Sequence, residues 1–201
     1  MRLFLIRHGE TPWTVEGRYQ GTTDVPLNAR GLGQAKDVAR ALRPEQINLL
    51  YTSPLRRARE TARELTRPLR LKPAVDPRLA ELNFGKWEGA NFRQLAERNG
   101  SLFRKWRQGK LRRPPGGESV DSLARRTNGF LKELIHRFED QTVAVVCHGG
   151  PIKMFLFRIL KAGSASILSF RIDSGSISLI EGNRDLLQIQ YINQTHHLRN
   201  R

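Results

Sequence analysis

Arg2-Leu3-Phe4-Leu5-Ile6-Arg7-His8-Gly9-Glu10-Thr11 is the stretch from which the rest of the chain is read. Four apolar residues, Leu3 to Ile6, run without a break into an arginine and a histidine, and Gly9 ends the run. A short uninterrupted apolar run fits a strand buried on both faces, as in a parallel sheet. Neutral imidazole is nucleophilic near pH 7. The neighbouring guanidinium offers a planar fork of donors matched to phosphoryl oxygens. Taken alone, the stretch fits equally well a strand merely closed by two polar residues.

Two other junctions repeat the arrangement. Ile47 to Tyr51 reads as a strand and runs into Ser53-Pro54-Leu55-Arg56-Arg57. Thr142 to Cys147, also fully apolar, runs into His148-Gly149-Gly150. Helical patterns lie between the strands. Asn28 caps a helix reaching about Arg43, with Ala35, Val38, Ala39 and Leu42 on one face. Ser53 and Pro54 read as cap and first helical residue of a helix toward Arg67. Asn91 with Gln94 forms a capping box for a helix to about Arg98, and a short helix covers Leu102 to Arg107. Ser119 begins the clearest helix, with Val120, Leu123, Phe130, Leu131, Leu134, Ile135 and Phe138 on one face. Pro151 starts another. Residues 9–27 read as loop, residues 68–90 as irregular, and Ser176–Glu181 with Leu186–Ile192 as a hairpin. Such alternation gives an α/β fold with a mainly parallel sheet. The carboxyl ends of parallel strands face one crevice, where ligands bind. Arg7, His8, Arg57 and His148 would meet there, which makes a poor core and a good anion site.

Composition narrows the setting. A chain of 201 residues fits one domain. No run approaches the ~20 apolar residues of a membrane span, and the first apolar run is too short for a signal segment. The single cysteine, Cys147, excludes an internal disulfide, fits a reducing compartment, and reads as a buried, inert thiol. A cytoplasmic location is expected. Lys plus Arg 35 against Asp plus Glu 19 gives a net charge of +16, which attracts anions. The acid-free run of Arg104, Lys105, Arg107, Lys110, Arg112 and Arg113 reads as a solvated face, with nucleic acid the less favoured partner. No cluster has metal-ligand spacing, His196-His197 reads as incidental, and neither metal nor cofactor is expected. Gly31-Leu32-Gly33 lies inside a helical pattern and is not a dinucleotide loop. Trp87 and Trp106 fit either core or substrate wall.

The chain resembles the histidine phosphatase superfamily in its phosphoglycerate-mutase-like branch. The matching stretches are Arg7-His8-Gly9-Glu10-Thr11, Gly17 to Gly21, Pro26-Leu27-Asn28, Ser53 to Ala58, Glu81 to Gly89, Gly116-Gly117-Glu118-Ser119 and His148-Gly149-Gly150. The resemblance implies a three-layer αβα sandwich over residues 1–201, with about 82–118 covering the substrate. It implies that His8 accepts the phosphoryl group, that Arg7, Arg57 and a cationic His148 bind its oxygens, and that Glu81 protonates the leaving oxygen. Gln20, Gly21 and Gly149 would add substrate contacts. Thr14 stands where the family usually has asparagine, its hydroxyl replacing one hydrogen bond. The branch contains mutases and phosphatases. Mutases place a lysine soon after the acid's glycine-rich stretch and a Trp-Arg-Arg triplet further on. Here Phe92 follows Gly89-Ala90-Asn91, and the triplet is Trp106-Arg107-Gln108. A phosphatase of a small phosphorylated metabolite, monomer or homodimer, is therefore expected. A mutase is the alternative, and a non-catalytic basic binding module the least favoured reading.

Overall fold

The run that opens the chain lies inside a six-stranded sheet. In the computed structural model, which describes residues 1–163 and 167–198, the sheet contains β1 (Arg2–Arg7), β2 (Leu49–Thr52), β3 (Ala74–Val75), β4 (Thr142–Cys147), β5 (Ile177–Gly182) and β6 (Leu187–Gln194). Their order is β3-β2-β4-β1-β5-β6. The β3–β2, β2–β4 and β4–β1 pairs are parallel, and the β1–β5 and β5–β6 pairs antiparallel. The expected mainly parallel sheet is thus present, with an antiparallel hairpin at one edge.

Alternation along β1 fixes the layers. Leu3 and Leu5, with Val143, Val145 and Cys147 of β4, pack against Phe130, Leu131 and Leu134 of α6 (Val120–Arg137) and Ile152, Phe155 and Leu156 of α7 (Gly149–Ile159). Phe4 and Ile6, with Ala144 and Val146, pack against Val38 and Ala39 of α2 (Ala29–Ala41) and Ala58, Ala62 and Leu65 of α3 (Arg56–Leu69). Every side chain from Leu3 to Ile6 is at most 1 % exposed. Burial of each contributes about 1.5–3 kcal/mol, so a strand with no polar face is held from both sides. A third cluster joins Leu95 of α4 (Phe92–Arg98) and Phe103 and Trp106 of α5 (Gly100–Arg107) to Leu82, Trp87, Leu123, Met154 and Phe157. Trp87 and Trp106 are 1 % and 2 % exposed, so both belong to the core.

Register brings the three junctions level. Arg7 lies opposite Cys147, and Thr52 opposite Val146. Some boundaries differ from the sequence reading. Residues 9–27 contain a short helix, α1 (Pro12–Val15), closed by a capping box between Thr11 and Thr14. Residues 68–90 contain β3, whose two exposed residues pair only with β2. Helix α3 starts at Arg56 rather than Pro54, and its N-cap Leu55 has no polar side chain to cap it, while the Ser53 hydroxyl accepts from the Leu55 N–H at 3.3 Å. Among the described residues no helix is long and apolar enough to cross a membrane.

Candidate active site

His8 follows β1 and is 2 % exposed. Its backbone N–H donates to the Cys147 carbonyl at 3.0 Å, extending the β1–β4 ladder by one residue. Its Nδ1 lies 2.7 Å from the Gly9 carbonyl oxygen. A carbonyl only accepts, so Nδ1 carries the ring proton. Burial holds the imidazole well below the ordinary histidine range, and the charges of Arg57 and Arg7 act in the same direction. A neutral ring protonated at Nδ1 leaves a lone pair on Nε2, which accepts from Arg57 Nε at 3.3 Å. Gly9 permits this placement: a Cβ there would fall 2.4 Å from the Gly31 carbonyl oxygen at the start of α2.

Three further groups surround that nitrogen. Arg57, in the first turn of α3, is fully buried and donates through Nη1 to the Thr23 carbonyl (2.9 Å) and Nη2 to the Gly21 carbonyl (2.7 Å). Burial lowers it to about 10, so it remains cationic at neutral pH. Arg7 donates through Nη1 to the Ile172 carbonyl, while its Nε is buried without a partner. His148 caps α7 and is fully buried, its ring centroid 5.1 Å from that of His8. Its Nε2 lies 2.7 Å from Ser53 Oγ, and its Nδ1 is buried without a partner. The expected cationic His148 requires an anion beside it. Burial first, then Arg57, His8 and Arg7, push the imidazole well below its usual range. Only an anion beside it would restore the charge.

Glu81 lines the same cavity. Its Oε1 accepts from the backbone N–H of Leu82 (2.8 Å) and of Gly150 (3.1 Å), so the carboxylate sits at the start of α7, where the helix dipole favours negative charge. A Cβ on Gly150 would fall 2.2 Å from that oxygen. Arg126 of α6 fixes the main chain here, donating to the carbonyls of Arg78 (2.7 Å), Ala80 (2.6 Å) and Glu81 (3.0 Å) while pairing with both oxygens of Glu118. Arg7, His8, Thr14, Gln20, Gly21, Arg57 and Glu81 all line one cavity of about 970 Å³. His148 lies behind its wall, and Gly149 lines a smaller neighbour. Among the described residues no three or more His, Cys, Asp or Glu converge as metal ligands would.

The model of the histidine phosphatase superfamily, branch 1, matches residues 3–195. The chain belongs to that superfamily. It is 40 % identical over 199 residues to a bifunctional protein of Mycobacterium tuberculosis, covering 98 % of this chain and 55 % of that protein. The chain therefore spans about half the length of that relative. It is 35 % identical to phosphoserine phosphatase 1 of Hydrogenobacter thermophilus, covering 98 % of this chain and 94 % of that one. The structure of the alpha-ribazole phosphatase from Shigella flexneri superposes with a TM-score of 0.87 at 31 % identity, covering 96 % of each chain.

Glu88, which the sequence reading gave no role, joins two loops at this cavity. The Glu88 carboxylate accepts from the backbone N–H groups of Thr22 (2.9 Å), Thr23 (2.9 Å) and Phe84 (3.1 Å), tying the Gln20–Thr23 loop to segment 82–118. Gly21 lies beneath it in the left-handed region (φ +54°), where a side chain is strained and a Cβ would displace the Glu88 carboxylate, its Oε1 only 1.9 Å away. Gln20 Oε1 accepts from Thr11 Oγ1 at 3.1 Å. The Thr14 hydroxyl donates to the Thr11 carbonyl (2.7 Å) and accepts from its N–H (2.8 Å), so its proton is committed to capping α1. Ser53, read as a helix cap, accepts from the Leu55 N–H at 3.3 Å and also partners His148. Cys147 is fully buried, and burial raises its thiol far above the range of a reactive one. His197 Nε2 lies 2.9 Å from the Gly175 carbonyl oxygen, at the edge of the fold.

The two buried neutral histidines set a pH dependence of stability. Their native pKa values lie below the unfolded value of about 6.5. Between those values the unfolded chain binds more protons, so stability falls as pH drops below 6.5. The expected slope is up to about 1.4 kcal/mol per pH unit for each histidine. Urea unfolding at several pH values between 7 and 5 checks this. A His8→Gln, His148→Gln double variant should show a flatter profile, and an unaltered slope would count against it.

Proposed function

We propose that this chain is a phosphomonoester hydrolase acting through a phosphohistidine intermediate on a small phosphorylated metabolite. The observation that carries the reading is the unprotonated Nε2 of a neutral His8, 3.3 Å from the buried Arg57 guanidinium, with Arg7 beside it. In this reading Nε2 attacks phosphorus in line, and the bond from phosphorus to the leaving oxygen breaks. Glu81, entering as the carboxylic acid, gives its proton to that oxygen. Water then attacks phosphorus, the Glu81 carboxylate takes its proton, and the N–P bond pair returns to Nε2 as inorganic phosphate leaves. Arg7 and Arg57 neutralise the equatorial oxygens, the main electrostatic requirement of phosphoryl transfer. The dianion draws a proton onto His148. Gln20, Gly21 and Gly149 supply amide donors, and Thr14 shapes the wall.

The surroundings favour hydrolysis over mutase chemistry. A mutase must keep its phosphoenzyme from water, whereas a cavity of about 970 Å³ leaves room for water beside Glu81. Phe92 occupies the place of the mutase lysine, half exposed on the cavity wall, with the Arg107 guanidinium stacked 4.9 Å from its ring centroid. Trp106 of the altered triplet is in the core. Residues 1–201 act here as one catalytic unit, with segment 82–118 over the site.

Phosphate release from nitrophenyl phosphate tests the reading. Because cationic side chains meet the charge, the rate should be unchanged by exhaustive chelation. A large loss restored by magnesium or zinc would sink this part of the proposal.

A further inference from the structure

The stretch from Arg56 to Arg70 holds six arginines, and α3 sorts them. Arg57 turns inward to the active site, whereas Arg56, Arg59, Arg63, Arg67 and Arg70 are all exposed. Their intervals of three, four, four and three residues keep the five on one helix face, opposite Ala58, Ala62 and Leu65, which pack toward the sheet. Arg70, the left-handed residue that ends the helix, carries the stripe past the last turn. Arg56 pairs with Glu60. The guanidinium groups of Arg59, Arg63, Arg67 and Arg70 have no acceptor among the described residues. The acids of the helix, Glu60 and Glu64, are half-buried beside the stripe, and Glu60 is taken by Arg56 and the Leu27 N–H. The acid of neighbouring α2, Asp37, is paired with Arg40. Across the sheet α6 differs, its Arg126 and Arg137 being paired with Glu118 and Glu133. Like charges at intervals of three and four destabilise a helix, and a line of anions relieves them.

At 1.5 Å per residue the stripe is about 20 Å long. One strand of a DNA duplex presents a phosphate every 3.4 Å of its axis, so about six fall along that length. Each guanidinium is a planar fork matched to phosphate oxygens. We infer that the outer face of α3 is a docking surface for the phosphate backbone of duplex DNA, bound without regard to sequence. The chemistry of the face selects this partner. Helices α2 and α3 contain no aromatic residue on which unpaired bases could stack. The stripe offers donors alone, with nothing to accept from the 2′-hydroxyls through which duplex RNA is recognised. It carries no apolar side chain to enter a membrane interface. The surface lies on the side of α3 away from the cavity, so it is independent of the reaction proposed for the active site.

The test is fluorescence anisotropy of a labelled DNA duplex of about 20 base pairs, two helical turns, titrated with the full chain at several salt concentrations. Four free arginines on four phosphates give a slope of log K against log salt of about −3.6, with Kd of about 10⁻⁴–10⁻⁶ M at physiological salt. The triple variant Arg59→Gln, Arg63→Gln, Arg67→Gln should bring the slope to about −0.9 and weaken binding at least about 100-fold near 0.1 M salt. A second variant, Arg104→Gln, Lys105→Gln, Lys110→Gln, removes the same charge from exposed positions at and beyond the end of α5 and should leave the slope as it was. Thermal unfolding of both variants guards against loss of the fold. Single-stranded DNA, duplex RNA and phosphatidylserine vesicles, each used as competitor, should displace the duplex less well than unlabelled duplex DNA. Absence of binding overturns the inference, as does a slope that the α3 variant leaves unmoved. Equal loss in the two variants would assign the binding to net charge alone and overturn it too. Stronger competition by single strands, RNA or vesicles would give the surface to that partner instead.

Discussion

His8→Ala is expected to lower kcat/KM for every phosphomonoester by at least about 10⁴-fold, the scale on which removal of a covalent nucleophile is felt. The argument is local. Nδ1 is committed to the Gly9 carbonyl, so Nε2 alone can carry the phosphoryl group. Among the described residues no other nucleophile of comparable strength is available beside it. His148 lies behind the cavity wall with Nε2 against Ser53, and Cys147 is buried with its thiol held protonated. Removal of the ring costs Arg57 one contact, but its two carbonyl partners remain. The variant should therefore still bind phosphate. Acid-labile phosphate trapped during turnover should be found on the peptide containing His8 and vanish in His8→Ala. An adduct on another residue, or activity within tenfold of wild type, would remove His8 from this role.

What was legible in the sequence was whatever depends on neighbours along the chain. The runs Leu3–Ile6 and Thr142–Cys147 have no polar face, so only a buried parallel strand suits them, and the junction residues follow as their continuations. What was not legible depends on partners far away. Ser53-Pro54 carries the local signature of a helix start, yet the Ser53 hydroxyl meets His148, 95 residues later, and α3 begins two residues beyond Pro54. Glu88 and Arg126 act mainly on backbone groups of distant segments, and a backbone N–H or C=O leaves no mark in a sequence. The neutral state of His148 without an anion beside it is illegible for the same reason. Burial and four neighbouring basic groups, Arg57, His8, Arg7 and Arg126, set it, and all of them arrive only with the fold. The tryptophans fit core or wall in the sequence because part of what buries them, Leu123 of α6 and Met154 and Phe157 of α7, comes from distant segments.

Glu81→Gln should slow phosphohistidine formation from alkyl phosphates far more than from nitrophenyl phosphate. An alkoxide leaving group requires a proton in the transition state, whereas nitrophenolate leaves with little help. Loss of a general acid costs about 10²–10⁴-fold, and the alkyl esters should fall in that range. Glutamine keeps the length of the side chain, and its carbonyl oxygen can still accept from the N–H groups of Leu82 and Gly150. Position is thereby separated from proton transfer. Neighbouring carboxylates are poorly placed to substitute. Glu118 is paired with Arg126 through both oxygens, and Glu10 accepts from Asn28 Nδ2 and Arg30 Nη1. The measurement must be pre-steady-state, because hydrolysis of the phosphohistidine also uses Glu81 and would slow both substrates in steady state. Equal slowing of formation for both leaving groups would mean that Glu81 only orders the start of α7 and that the proton comes from elsewhere. A leaving-group-dependent loss assigns the proton to Glu81, and with it the side of the cavity on which the leaving group departs.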